Sequence, residues 1–287
     1  MPDPADDPYF ATRQGLAAQI NRDRASANLA PVELDLFTSL VADHHCQEMA
    51  GYRYLSHWDL QGLLPYHRYH NAGGRDHVQE NLSRLTIYTT ARAPISTEPN
   101  DLLPRLLESH ARFVAEQPPS DGHRRTIFDP THTHVGIGLA VVGGEFTMSE
   151  QFINRYVRLS ELPATFPAGP IRIEGEMLRQ AYGPYYCMVF YEGQPQPRTV
   201  YQLERTYAYS DMDGEECASV PPWQMQFDSS RGRFRFTLRT KDCGPGLYHL
   251  ILWVRNNVRS IPYQLSNGAT KIETKYGVVA AGWVFRK

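Results

Sequence analysis

The sequence has 287 residues, of which 41% are hydrophobic, and its formal net charge at pH 7 is −2. That length suits two domains of ordinary globular composition. The near-zero charge argues against a protein dedicated to nucleic acids, which needs a basic surface. No apolar run approaches the roughly 18 residues that a transmembrane segment requires.

The two halves of the chain differ in charge and in histidine content. Residues 1–160 contain no Lys, 14 Arg and 19 acidic residues, which gives a net charge of −5. Residues 161–287 contain 15 basic and 12 acidic residues, which gives +3, and only His249 of the 11 histidines lies there. Because imidazole is the side chain that most readily moves protons or binds metals near neutral pH, we expect such chemistry in the first half.

Helices and one hairpin are predicted in the first half. Apolar residues at helical spacing predict a helix before residues 28–31 and a second one from Asp35, a suitable N-cap, to Ala50, with a C-terminal cap at the following glycine. A third helix is predicted over residues 101–117. Two strands, joined by a Gly-Gly turn at residues 143–144, are predicted to follow.

The second half has the sequence pattern of an all-β domain. Residues 162–170 are rich in Pro and Gly, as interdomain linkers are. Beyond them, short β-rich runs alternate with turns, and this pattern predicts an antiparallel sandwich. We therefore expect one domain over residues 1–162 and a β-sandwich domain over residues 163–287. The predicted strands cover residues 171–176, 185–191, 233–239, 248–254 and 278–285.

Four short segments occur in a fixed order between residues 15 and 160. Each of them alone is a weak signal, whereas the ordered set is specific. The segments are Ile20-Asn21-x-x-Arg24 with Leu29-Ala30-Pro31-Val32 and Asp35-Leu36; Ala42-x-x-His45 with Ser56-His57-x-Asp59-x-x-Gly62, Pro65 and Arg68; Gly73-Gly74 with Glu80-Asn81-Leu82; and Gly122-His123-Arg124 with Ile127, Pro130 and His134-Val135-Gly136-Ile137-Gly138.

In this order the segments resemble the CAP superfamily (cysteine-rich secretory proteins, antigen 5 and pathogenesis-related proteins), in its bacterial SCP-like extracellular form. The resemblance covers about residues 10–157. It implies an α-β-α sandwich with a shallow central cavity, so the expected fold class is α+β: a CAP domain followed by an all-β antiparallel sandwich. It also implies an extracellular or periplasmic location, although residues 1–7 lack the basic and apolar regions of a signal peptide.

The resemblance also implies a site. In the family, two His and two Glu line the cavity, which in some members holds zinc or another divalent cation. His57, Glu80 and His123 match three of these four positions. Glu116 fits the fourth, and Glu108 on the same predicted helix is the alternative. Imidazole and carboxylate are suitable zinc ligands, so zinc or another divalent cation is the expected cofactor.

Three functions are compatible with this pattern. The first is binding of a small molecule, a lipid, a sterol-like molecule or a glycan in the groove, with Trp58, Tyr66 and Asn81 as ligand-contacting residues. The second is a metal-assisted hydrolase, with Glu80 or Glu116 as general base. The sequence contains no GxSxG nucleophile segment, and no catalytic residue is assigned.

The third function is a purely structural or interaction role. In that case the matched His and Glu side chains would hydrogen-bond one another and hold loops over the helix layer. The sequence leaves the oligomeric state open.

The remaining His, Tyr and Trp residues are expected to lie at the surface or to take part in packing. His67, His70 and His77 are expected to be exposed, and the alternative is that they extend a polar site. His134 is expected to pack where a strand begins. The many Tyr and Trp residues of the second half are expected to fill a sandwich core. The alternative is a binding module, for example for a cell-surface glycan, with exposed aromatic platforms.

Four cysteines are present, and none forms a CxxC pair. Cys46 lies in a helical pattern and is expected to be a buried free thiol. Cys217 and Cys243 lie in turn-like, Gly-rich sequence and could pair with each other.

Overall fold

The structure, a computed structural model, describes residues 2–86, 96, 98–163, 165, 169–256 and 277–287. Contacts between residues group the chain into two units, and each unit is built from three segments. The first unit comprises Met1–Ala72, Val78–Ile153 and Pro197–Ala208; the second comprises Gly73–His77, Asn154–Gln196 and Tyr209–Lys287. The domain boundary expected at residue 162 stays a prediction, and residues 164 and 166–168 of the expected linker lie outside the described residues.

Helices and a four-stranded sheet make up most of the first unit. In chain order the elements are α1 (Phe10–Ser26), β1 (Glu33–Leu34), α2 (Leu36–Tyr52), α3 (Pro65–Asn71), β2 (His77–Thr86), α4 (Pro99–Val114), α5 (Gly122–Ile127), β3 (His134–Val142) and β4 (Glu145–Asn154). The strand order is β1-β3-β4-β2, with β1 parallel and β4 antiparallel to β3. The hairpin predicted at the Gly-Gly turn is confirmed, because Val142 pairs with Glu145.

The ends of α2 test the predicted caps. The Asp35 carboxylate accepts a hydrogen bond from the Thr38 backbone N–H at 2.8 Å, so the predicted N-cap is confirmed. The predicted C-terminal end is wrong, because α2 continues through Gly51 to Tyr52. Arg53 then adopts a left-handed conformation with φ of 59°, and this residue ends the helix.

The helices lie on both faces of the sheet. On one face, α2 packs against Gly136 and Gly138 of β3. On the other face, the alternate residues Val135 and Ile137 join a core to which α1 and α4 contribute, for example through Leu16. Since successive side chains of a strand point to opposite faces, this arrangement is an α-β-α sandwich, as expected.

Strands dominate the second unit. The elements that follow β4 are β5 (Val157–Leu159), β6 (Ile171–Met177), β7 (Tyr182–Gly193), α6 (Val200–Leu203), β8 (Glu215–Val220), β9 (Gln226–Asp228), β10 (Arg233–Leu238), β11 (Leu247–Asn256) and β12 (Val278–Arg286). All of these except α6, which belongs to the first unit, form two antiparallel sheets of order β5-β6-β10-β9 and β12-β11-β7-β8. Ile173 and Phe236 of one sheet share a core with Val189 and Leu250 of the other.

Many aromatic residues of the second half are buried, as expected, and others are exposed. Tyr248, Trp253 and Trp283 are buried. By contrast, Tyr201, Tyr207 and Trp223 are exposed. Among the described residues, no helix combines the length and the apolarity that crossing a bilayer requires.

The close approach of α2 to β3 leaves no space for a side chain at Gly138. A Cβ at this position would lie 2.5 Å from the Ala42 Cβ and 2.6 Å from the Ala42 carbonyl carbon. We expect Gly138→Ala to lower the free energy of unfolding, measured in urea, by about 1–3 kcal/mol, since the helix has to move away from the sheet. In contrast, Gly51→Ala, where nothing lies within 4 Å of the added Cβ, should leave stability unchanged or raise it. Equal losses in both variants would contradict this explanation.

The geometry of the second unit favours pairing of Cys217 with Cys243. The two thiols are free, and the Cys243 thiol lies within hydrogen-bonding distance of the Cys217 sulfur. The backbone holds them there, because the Lys241 N–H donates to the Cys217 carbonyl at 3.0 Å and the Cys243 N–H donates to the Tyr248 hydroxyl at 2.9 Å. Burial and the neighbouring Cys243 raise the pKa of the Cys217 thiol to about 12. The more exposed Cys243 is therefore expected to react first with an oxidant.

We expect oxidised glutathione to convert the two thiols into one disulfide. Cys243 first forms a mixed disulfide, and Cys217 then displaces the glutathione, so that two glutathione thiols are released for each disulfide formed. Mass spectrometry should show that the protein has lost two hydrogen atoms, and peptide mapping should show the linkage. The Cys217→Ser variant should instead retain a glutathione adduct, whereas Cys46→Ser should behave like the unaltered protein. A stable adduct on the unaltered protein would contradict the prediction.

Candidate functional site

Glu80, on β2, lies at the centre of a buried hydrogen-bond network. Its side chain is 0% exposed, and both carboxylate oxygens are occupied. His57 Nδ1 lies 3.0 Å from Oε1, and Arg68 Nη2 lies 3.2 Å from Oε1 and 3.0 Å from Oε2. Gln151 Nε2 and Ser149 Oγ donate to Oε2 at 2.9 and 3.3 Å. A loop, a helix and a neighbouring strand therefore meet at one carboxylate.

The partners of Glu80 determine its charge. Burial alone would raise the pKa of this carboxyl group, but the Arg68 guanidinium and the His57 ring outweigh that effect and lower the pKa to about 2. Glu80 is therefore an anion at neutral pH. Both oxygens are taken up by donors, so the group is saturated as a hydrogen-bond acceptor.

Residues 53–64, which we call the His57 loop, are held in place by the same network. Arg68, on α3, donates from Nη1 to the carbonyl oxygens of His57 at 2.7 Å and Leu63 at 2.8 Å. Asp59 accepts the backbone N–H groups of Gln61 and Leu63 at 3.0 and 2.7 Å. The position of the His57 ring thus depends on Arg68 as well as on Glu80.

A second His–Glu pair forms at the start of α5. Glu116 Oε1 lies 2.5 Å from His123 Nδ1, and Oε2 accepts the His123 backbone N–H at 3.0 Å. The imidazole stacks on Phe113, with 4.4 Å between ring centroids. Glu108, the alternative to Glu116, is 54% exposed and pairs with Arg112 instead. The structure therefore brings Glu116, and not Glu108, to His123.

The four predicted metal ligands form two separate pairs, His57 with Glu80 and His123 with Glu116. Glu80 and Asn81 are consecutive in β2 and point to opposite faces of the sheet. Glu80 contacts the His57 loop, whereas Asn81 donates to the His123 carbonyl oxygen at 3.1 Å. Among the described residues, no group of three or more His, Cys, Asp and Glu side chains is placed to hold a metal ion.

The surroundings of Glu80 do not fit a bound cation. The positively charged Arg68 lies 3.0 Å from Oε2, where a metal ligand would need a free lone pair. A divalent cation at Glu80 would have to displace this guanidinium and the hydrogen bond from His57. The assignment of a metal to the two His–Glu pairs stays a prediction.

Comparisons with known proteins agree with this fold. Residues 17–152 match the family model described as CAP, the cysteine-rich secretory protein family. Residues 17–152 form a CAP domain. No curated protein matches the chain.

Solved structures that are similar to the chain include two bacterial proteins. An extracellular protein containing an SCP domain from Bacillus anthracis str. Ames shares 20% identity over 50% of this chain and 41% of that one, with a TM-score of 0.36. An outer surface protein from Borrelia burgdorferi shares 18% identity over 50% of this chain and 93% of that one, with a TM-score of 0.39. The chain thus spans less than half the length of the first of these proteins.

The three predicted ligand-contacting residues of the CAP domain differ in exposure. Trp58 is half-buried, and the Arg198 guanidinium lies 4.9 Å from its ring centroid. Tyr66 and Asn81 are each 1% exposed, so their side chains lie in the interior, away from any surface a ligand could reach in this conformation. Their assignment as ligand contacts stays a prediction.

Exposed aromatic and apolar side chains occur in and next to the His57 loop. Ser56 Oγ and Thr206 Oγ1 lie 2.7 Å apart and join the loop to residues 197–208. Leu55 and Tyr207, the neighbours of these two residues, are both exposed, Tyr207 to 85%. Tyr52, at the end of α2, is also exposed. This surface was not predicted, because residues 197–208 are distant in the chain from the His57 loop and were expected to belong to the other domain.

Three histidines of the first half of the chain are less exposed than predicted. The expectation that His67, His70 and His77 are exposed is wrong, because all three are buried. His67 Nδ1 accepts the Leu64 backbone N–H at 3.1 Å, at the start of α3. A loop sequence without periodicity carries no signal for such burial.

One further buried imidazole, that of His110, was not predicted from the sequence. His110 Nδ1 lies 2.7 Å from Glu150 Oε1 and its Nε2 lies 3.1 Å from Asp23 Oδ2. Burial lowers the pKa of His110, but the two carboxylates outweigh it and raise the pKa. The available signal was the run Ser149-Glu150-Gln151, which places consecutive polar residues in a strand that is buried on both faces.

The low pKa of Glu80 predicts an acid-sensitive network. Because the folded-state pKa of about 2 lies below the ordinary value, Glu80 contributes stability above about pH 4.5. This contribution, about 3 kcal/mol, should be lost as the pH falls towards 2. Urea unfolding between these pH values should show this loss for the unaltered protein and not for Glu80→Gln.

A matched variant separates this effect from a general loss of charge. Glu80→Gln leaves Arg68 without its carboxylate and should lower the free energy of unfolding at pH 7 by roughly 3–5 kcal/mol. Glu108→Gln removes an exposed carboxylate and should keep the pH dependence of the unaltered protein. If the Glu80→Gln variant also keeps the pH dependence of the unaltered protein, Glu80 does not have the proposed electrostatic role.

Proposed function

We propose that this protein is a secreted or cell-surface CAP-domain protein that acts by binding a glycan. The binding surface consists of the His57 loop and residues 197–208. The observation that carries the proposal is that exposed Tyr207 and Leu55 flank the hydrogen bond between Ser56 and Thr206, beside the partly exposed His57.

The chemistry of this surface suits a sugar. Sugar rings present apolar C–H faces and polar hydroxyl groups. Tyrosine supplies an apolar ring together with a hydroxyl group, and imidazole and guanidinium supply hydrogen bonds to the sugar hydroxyls. Lipids and sterols favour enclosed apolar pockets, whereas Tyr207 is open to solvent. A glycan is therefore favoured over a lipid and a sterol-like molecule.

The network below the surface supports a binding role. The Glu80 network holds the His57 loop through Arg68 and through direct contact with the His57 ring. A loop that is already ordered loses less conformational entropy when a ligand binds. A general base works best when its pKa is near the operating pH, and the pKa of about 2 makes Glu80 a weak base. Binding is for this reason proposed ahead of hydrolysis.

An array of immobilised neutral oligosaccharides, probed with the whole chain, tests the proposal. We expect Tyr207→Ala to weaken binding to any recognised sugar by about tenfold, equivalent to about 1.4 kcal/mol, since a stacking surface is lost. Trp223→Ala removes an exposed aromatic ring of the second unit and should leave that binding unchanged.

The remaining outcomes distinguish the alternatives. If a chelator abolishes sugar binding, the divalent-cation alternative replaces the proposal. If no oligosaccharide binds, or if both variants bind equally, the glycan proposal fails and a structural or interaction role is left.

A further inference from the structure

The outer face of β10 carries a row of arginines. Phe234, Phe236 and Leu238 point into the core of the second unit, whereas Arg233 and Arg235 alternate with them and are exposed. Side chains two residues apart in a strand lie about 7 Å apart on the same face. β10 runs between β6 and β9, so both neighbouring strands contribute residues beside this row.

Two adjoining grooves follow the row. The larger groove has a volume of about 840 Å³ and includes Arg233 and Arg235 in its lining. The smaller one has a volume of about 510 Å³ and extends to Arg239. Both are lined by Arg235 and Gln226, so together they form a strip along β10. From Arg233 to Arg239 this strip is about 20 Å long, which suits an extended polymer better than a small molecule.

Positive charge is in excess along this strip, which we call the arginine face. Six arginines and three acidic residues line the two grooves. Each acidic residue has an arginine partner: the pairs are Arg158–Glu176, Arg172–Glu174 and Arg231–Asp228. Arg233, Arg235 and Arg239 form no ion pair within the described residues. Three positive charges therefore remain uncompensated on one face, in the half of the chain that has a net charge of +3.

We propose that the arginine face binds an acidic polysaccharide. The acidic groups of the polymer pair with Arg233, Arg235 and Arg239, because a guanidinium presents a planar pair of N–H donors that matches an oxyanion. The hydroxyl groups between the charges donate to Glu174, Glu176 and Asp228. The residues of this face are different from those of the proposed CAP-domain surface, so the two proposals stand or fall separately.

The carboxylates on the face argue for this polymer over a nucleic acid. A nucleic acid presents a phosphate at every nucleotide, and three carboxylates interleaved with the arginines would repel such a continuous row of charge. Hydroxyl-bearing sugar rings, by contrast, separate the charges of an acidic polysaccharide and can use carboxylates as acceptors. Single-stranded nucleic acids also favour aromatic stacking platforms, and the one aromatic side chain of β9, Phe227, is half-buried.

Affinity electrophoresis of the whole chain through gels that contain hyaluronate, a polymer in which a uronate alternates with a neutral amino sugar, tests the proposal. The unaltered protein should be retarded, and less so when salt is raised from about 50 to 200 mM, because charge pairs are screened. The double variant Arg233→Gln with Arg235→Gln should bind at least about tenfold more weakly. A gel that contains dextran, a neutral polymer, should not retard the protein.

A charge-matched control isolates the face from net charge. The double variant Arg22→Gln with Arg125→Gln changes the net charge equally at exposed positions of the first unit, and should retain binding. If the test variant fails to fold by circular dichroism, Arg239→Gln replaces it, with an expected loss of about threefold.

Three results would overturn the proposal. They are absence of retardation by hyaluronate, equal loss of binding in the test and control variants, and tighter binding of single-stranded DNA through the same arginines.

Discussion

A buried carboxylate is the interaction on which the candidate site depends. Glu80 has no contact with solvent, so its negative charge must be compensated within the protein. Arg68 supplies the compensating charge, and His57, Ser149 and Gln151 supply further hydrogen bonds. These donors come from a loop, from α3 and from β4, so a single anion determines where three parts of the first unit meet. The exposed residues of the His57 loop have defined positions because Glu80 and Arg68, which lie beneath them, hold the loop in place.

Local signals in the sequence predicted much of the architecture. Asp35 carries the side chain that an N-cap requires, and the Gly-Gly turn is a strong hairpin signal, so both predictions are confirmed. The matched His and Glu residues do pair, but as His57 with Glu80 and His123 with Glu116. β2 was not predicted. Without this strand, nothing in the sequence indicated that Glu80 and Asn81 point to opposite faces of a sheet. The sequence suggested a pairing of Arg68 with Asp59 that would fix the loop carrying His57. The ion pair of Arg68 with Glu80 was not predicted, because partners distant in sequence leave no local pattern.

The second unit shows how one short strand serves two purposes. The strand predicted over residues 233–239 is present as β10, in which exposed Arg and buried Phe alternate. The Phe residues hold the two sheets together through their shared core, and the same period of two places the arginines on the solvent side. Net charge summed over the chain hides this separation, since the acidic first half nearly cancels the basic second half. Charge is informative here only after the strands assign each residue to a face.

Residues 197–208 give the first unit a discontinuous core. Leu203 of α6 is fully buried in a cluster with Cys46, Met49 and Tyr54, all of which precede residue 60. A fragment cut at residue 162 would contain the whole segment that matches the family and yet lack this leucine. Its removal would expose apolar side chains beneath the His57 loop, next to the surface proposed to hold the ligand. The CAP domain is therefore longer as a folding unit than as a sequence pattern.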